Sequence, residues 1–193
     1  MICHLLSIIT DIVAKAHKRG NAILRCFMSR DVDMLTRAYL VYVRPLLEVN
    51  SVIWSPHYKQ DIDLIERVQR RFTKRLPGYS NYTYYERLTL LNLPSLELRR
   101  LGLDLIWRYK ILLGLISIDS AHLFEVRQAT ATRKHPCELF KPQCTINAGS
   151  SFFTQRIINV WNDLPVNTTN FSSLNCFRNS LNKVDLSSYL VFG

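Results

Sequence analysis

Acidic residues are scarce in this chain. Its 193 residues carry 15 Asp and Glu against 25 Lys and Arg, a formal net charge of +10. That imbalance points to a polyanionic partner, most often nucleic acid and sometimes an anionic membrane surface. The acid that is present is dispersed, and no two aspartates are adjacent. The Asp-x-Asp pairs, Asp31/Asp33 and Asp61/Asp63, fall at helix starts, where carboxylates complement the helix dipole. Two residues apart on a helix, they point to nearly opposite sides. Metal-assisted phosphoryl transfer needs clustered carboxylates, so no catalytic metal site is expected. Long apolar runs are missing too: nothing approaches the roughly 20 residues of a membrane span, and no membrane partner is expected. The five cysteines, Cys3, Cys26, Cys137, Cys144 and Cys176, are odd in number and irregular in spacing, which excludes a disulfide framework. Reduced thiols in an intracellular protein are the better reading. The first twenty residues hold His4 and Asp11 within their apolar run and place lysines after it, so they do not read as a secretory leader. There is no repeat and no low-complexity tract.

What is present is a mainly α-helical pattern. Hydrophobic residues form 48% of the chain, enough for a real core, and the length suits one domain or a domain with an appendage. The periodicity predicts a helix over 5–28 with Leu6, Ile9, Val13, Ala16, Ile23 and Phe27 on one stripe, weakened at Gly20. Asp31 can cap the next helix, whose stripe carries Met34, Leu35, Ala38, Tyr39, Tyr42 and Val43 and which should kink or restart near Pro45. Trp54-Ser55-Pro56 ends it. Thr83 and Glu86 form a capping-box pair for a short helix to Leu91, and Pro94-Ser95 opens a long one to about Ile116. Residues 1–118 therefore read as one helical region. A C-terminal part, 119–193, follows, with a loop or short hairpin over 126–150 and helices at about 151–162 and 173–184.

The helix from about Lys59 to Leu76 is the strongest candidate site. At about 100° per residue, Arg67, Arg70, Arg71, Lys74 and Arg75 share one arc, and Ile62, Ile65, Val68, Phe72 and Leu76 share the opposite one. An outward cationic stripe on a packed helix is a plausible phosphate-binding surface. Arg99, Arg100, Arg108 and Lys110 add positive charge on the long helix, and Arg99 and Arg100 join the candidate nucleic-acid contacts. Trp54, Trp107 and Trp161 sit where core packing outweighs a base-stacking role. Tyr82, Tyr84 and Tyr85 stand beside the cations, and filling their own junction outweighs stacking there as well. His135, Cys137 and Cys144 do not have a structural-zinc spacing, so neither metal nor cofactor is expected.

Several blocks, in order, carry a resemblance. Leu40-Val41-Tyr42-Val43-Arg44-Pro45-Leu46-Leu47-Glu48 is followed by Val52-Ile53-Trp54-Ser55-Pro56. Then come Ile65-Glu66-Arg67-Val68-Gln69-Arg70-Arg71-Phe72-Thr73-Lys74-Arg75 and Leu93-Pro94-Ser95-Leu96-Glu97-Leu98-Arg99-Arg100. Ser151-Phe152-Phe153-Thr154-Gln155-Arg156 and Val160-Trp161-Asn162-Asp163-Leu164-Pro165 close the series. This set resembles the thumb and post-thumb region of reverse transcriptases of non-LTR (LINE-class, jockey-like) retrotransposons. The resemblance implies a helical thumb-like bundle that grips RNA or an RNA–DNA duplex in the nucleus. It also implies a chain that completes a polymerase in cis with fingers and palm supplied elsewhere. The family's Phe/Tyr-Ala-Asp-Asp turn is missing from this sequence, so no polymerase activity is expected of the chain alone. Two other readings stand beside it: a co-opted helical module that meets an acidic protein, and a relic without function.

Overall fold

The computed structural model describes residues 2–56, 58–117, 139–140 and 152–191, with side chains from Ser7 onward. The fold is mainly α. The chain divides into two compact units, Met1–Arg99 and Arg100–Gly193. The compositional boundary near residue 118 lies outside the described residues. So do His135, Cys137, Cys144 and nearly all of the expected hairpin.

The first unit contains α1 (Ile2–Cys26), α2 (Val32–Tyr42), α3 (Arg44–Glu48), α4 (Ser51–Trp54), α5 (Lys59–Lys74), α6 (Tyr84–Leu90) and the first residues of α7 (Leu96–Leu112). Local chemistry sets most of these boundaries. Asp31 Oδ2 accepts from the Met34 N–H at 3.2 Å and starts α2. Pro45 sits in the first turn of α3, where its missing N–H costs nothing. Thr83 and Glu86 close the capping box of α6, with the Thr83 N–H donating to Glu86 Oε2 at 2.7 Å. Gly78 takes φ +81 after Pro77 and turns the chain beyond α5.

The core of this unit joins Ile9, Val13 and Ala16 of α1 to Tyr39 of α2 and to Ile65 and Phe72 of α5. Gly20 does not interrupt α1. It is buried, and a Cβ added there would stand 3.4 Å from Phe72 Cδ2. Its helix-propensity cost, about 1 kcal/mol, is offset by the close approach of α5. Trp54 is 9% exposed and donates its indole N–H to the Val49 carbonyl at 2.7 Å, so it belongs to the core. Met34 and Tyr42, expected on the buried stripe of α2, are exposed instead; Leu35, Ala38, Tyr39 and Val43 fill that face without them.

The second unit contains the remainder of α7, α8 (Phe153–Asn162), α9 (Leu174–Leu181) and a 3-10 turn at Ser187–Tyr189. Its centre is aromatic. Tyr109 stacks on Phe177 with ring centroids 4.5 Å apart, and Trp161 meets Phe171 edge-on at 5.6 Å. Tyr109 also donates its hydroxyl to the Phe171 carbonyl at 2.8 Å. Ser173 caps α9 by accepting from the Cys176 N–H. The Asn162 carboxamide pairs with both backbone groups of Leu139 at 2.9 Å. Trp107, expected in the core, is exposed, with the Lys110 ammonium 5.1 Å from its ring centroid.

Candidate nucleic-acid interface

The two faces of α5 separate as its pattern dictates. Ile62, Ile65, Val68, Phe72 and Leu76 are all buried. Arg67, Arg71, Lys74 and Arg75 are exposed, and Arg70 is half-buried beside them. The stripe is not uniform along its length. Asp63 accepts from Arg67 Nε at 2.7 Å and from Arg70 Nη1 at 2.9 Å. Partial burial works against ionisation of Asp63, but the hydrogen bonds and charges of the two arginines outweigh it and hold the carboxyl below its usual range. Arg70 also lies over the Tyr84 ring at 5.1 Å. One turn further on there is no such counter-charge. Among the described residues the Arg71 and Lys74 side chains have no hydrogen-bond or ion-pair partner, and the Arg75 guanidinium donates only to the neutral Asn21 carboxamide. The free positive charge of the stripe therefore sits at its C-terminal end, where it also complements the helix dipole.

Three polar residues on the inner side of α5 fix which way that stripe faces. Glu66, 3% exposed, accepts the Leu96 N–H at 3.0 Å and the Tyr84 hydroxyl. Its carboxylate thus satisfies an otherwise open donor at the start of α7. Gln69 accepts from the Tyr39 hydroxyl at 3.1 Å and donates to the Pro94 carbonyl at 2.9 Å. Thr73 accepts from Arg87 Nε at 3.1 Å. Burial, and then the charge of Glu66, pushes the Tyr84 phenol well above its ordinary value. A helix tied at three successive inward positions has little freedom to roll, so its outward cations hold their direction.

Two of the seven cations expected at the interface are used elsewhere. Arg99 makes a two-point contact with Glu48, Nε to Oε1 at 2.6 Å and Nη2 to Oε2 at 3.1 Å. Arg100 is 4% exposed. The reason is geometric. Arg100, Asp104 and Arg108 follow one another at i, i+4 and i+8, so they share the face of α7 that is buried. The tyrosines also divide. Tyr84 is committed to Glu66 and Gln69, whereas Tyr82 and Tyr85, expected to fill the junction, are exposed.

The sequence reading missed the contribution of α1. α1 and α5 border a shallow cleft with Ala16, Gly20, Val68 and Phe72 beneath it. His17 and Asn21 of α1 and Arg71 and Arg75 of α5 line its rim. Burial, and then the charge of Arg71, holds the His17 imidazole below its ordinary value. One signal was available: a glycine inside an apolar helical stripe marks a close helix approach, and His17 and Asn21 flank Gly20. Among the described residues no three His, Cys, Asp or Glu side chains group as a metal site, and no helix is long and apolar enough to cross a membrane.

No family model matches the chain, and no solved structure matches it. It is similar to an uncharacterized protein of Caenorhabditis elegans, 32% identical over 89 residues. That match covers 45% of this chain and 45% of the relative, so it spans less than half of either protein.

Proposed function

We propose that this chain is a nucleic-acid-gripping portion of an RNA-directed DNA polymerase of the non-LTR retrotransposon kind, inactive by itself. The ordered blocks from Leu40 to Pro165 support the family, and the carrying observation is the unneutralised end of α5 at Arg71, Lys74 and Arg75. Such a surface takes the phosphates of RNA or of an RNA–DNA duplex with little regard to base sequence. Fingers and palm would act beside it in cis, in the nucleus, and supply the metal-binding aspartates that this sequence does not contain. The binding surface is narrower than the full run of cations: Arg67 and Arg70 are secondary, and Arg99 and Arg100 are outside it.

The test is a titration of the full chain with an RNA–DNA duplex at several salt concentrations. Replacing Arg71 and Lys74 by Ala should weaken binding and reduce the logarithmic salt slope by about 0.7–0.9 for each lost contact. Replacing Arg99 should leave the slope unchanged. Equal affinity and slope in the Arg71/Lys74 variant would overturn the assignment. Binding to an acidic protein surface without binding to the duplex would favour the co-opted interaction module.

A further inference from the structure

The cleft between α1 and α5 has a composition unlike the rest of the stripe. Among the described residues no carboxylate lines it, although the same helix neutralises Arg67 and Arg70 through Asp63 only two turns away. Its base is apolar and its rim carries two guanidiniums, an amide and an imidazole. Asn21 spends its carbonyl oxygen on Arg75, which leaves its amide NH2 as a donor.

We infer that this cleft seats one backbone phosphate of the bound nucleic acid, gripped by Arg71 and Arg75, and that His17 takes up a proton as the phosphate arrives. The inference rests on the nucleic-acid reading above and adds to it a seat and a proton linkage. Two arginine forks from successive turns of one helix can close on the same oxyanion. The base of the cleft offers no competing acceptor, and Gly20 keeps it low because no side chain rises there. Among the described residues the charged groups that line the cleft with His17 are Arg71 and Arg75 from α5, and the junction between α2 and α3 adds only Val43. In the free protein, then, the imidazole faces positive charge and is disfavoured as a cation. A phosphodiester brings one negative charge into the same space and reverses that preference. By linkage, the duplex then binds more tightly at a pH that protonates His17.

The experiment follows the imidazole resonances of the full chain by NMR across pH, alone, with inorganic phosphate and with a short RNA–DNA duplex. The His17 signal is identified by its loss in His17→Gln. With duplex bound, the His17 midpoint should rise by about one pH unit. Duplex affinity should then be about tenfold higher on the acid side than on the alkaline side, and His17→Gln should abolish that ratio. A duplex that binds through Arg71 and Lys74 while His17 keeps its free-protein midpoint would overturn the seat and leave the proposed function standing. Movement of His17 by inorganic phosphate with no duplex binding at either pH would overturn both, leaving a simple anion site.

Discussion

Asp104 and Asp63 each engage arginines, and their acidities move in opposite directions. Asp104 is 3% exposed and accepts from Arg156 Nε at 2.8 Å and Nη2 at 2.9 Å. Burial pushes its carboxyl above the usual range even against the pull of Arg156 and Arg100. Asp63 keeps more contact with water, and its arginines prevail. Removing a partner should therefore hurt far more at Asp104. Arg156→Met leaves a buried carboxylate without its two-point partner and should cost about 3–5 kcal/mol at neutral pH. A carboxyl whose folded pKa is raised adds stability below its unfolded pKa and loses it as pH rises through the folded one. The deficit of Arg156→Met relative to the native chain should accordingly shrink as pH falls from neutral through the raised range, and level off once Asp104 is protonated in both folded chains. Denaturant unfolding at neutral and acid pH checks this, and a deficit that stays constant would show that Asp104 is not the group left stranded.

At the scale of the element, α5 does two jobs on its two sides. Its inner polar residues, Glu66, Gln69 and Thr73, lock it to α6 and α7, and its outer cations are shared between Asp63 and solvent. Asp63 thus acts as an internal competitor for phosphate. Asp63→Asn should release Arg67 and Arg70 and steepen the logarithmic salt slope by up to about 0.7–0.9 for each added contact. The stability change should stay small, because exposed pairs of this kind contribute about 0.3–0.5 kcal/mol each. Duplex titrations of the variant and native chain measure the difference, and an unchanged slope would mean the two arginines stay turned away. The two-sidedness of α5 was legible because helical period alone separates Phe72 from Arg71. The caps at Asp31 and Thr83 were legible because their partners lie three residues away. The face of α7 was not: Arg100, Asp104 and Arg108 look like solvent-facing charge until Arg156, 52 residues after Asp104, is known to reach it. Asn21 was not legible for the same reason, since its partner Arg75 lies 54 residues on.

For the whole molecule, the gross count of 25 Lys and Arg overstates the cations available to a ligand. Arg99 and Arg156 are committed to Glu48 and Asp104, and Arg67 and Arg70 to Asp63. If Arg71, Lys74 and Arg75 make the phosphate contacts, the salt slope on duplex should be about −2.7, a loss of about 40-fold in affinity between 50 and 200 mM salt. Fluorescence titration across that range reads it directly, and a slope several units steeper would mean that cations outside the end of α5 take part. Each unit also has its own core, the aliphatic cluster around Tyr39 in one and the aromatic group around Trp161 in the other. The packing of Gly20 against Phe72 carries a consequence for how the chain is made. α1 is synthesised before α5, and Phe72, which packs on Gly20, follows that glycine by 52 residues. At about 5–20 residues per second, α1 waits roughly 3–10 s for that contact. A nascent chain stalled before α5 emerges would have only α2 and α3 to cover the apolar stripe of Ile9, Val13, Ala16 and Ile23. In the cell, this stretch of synthesis is where chaperone engagement and co-translational aggregation should concentrate.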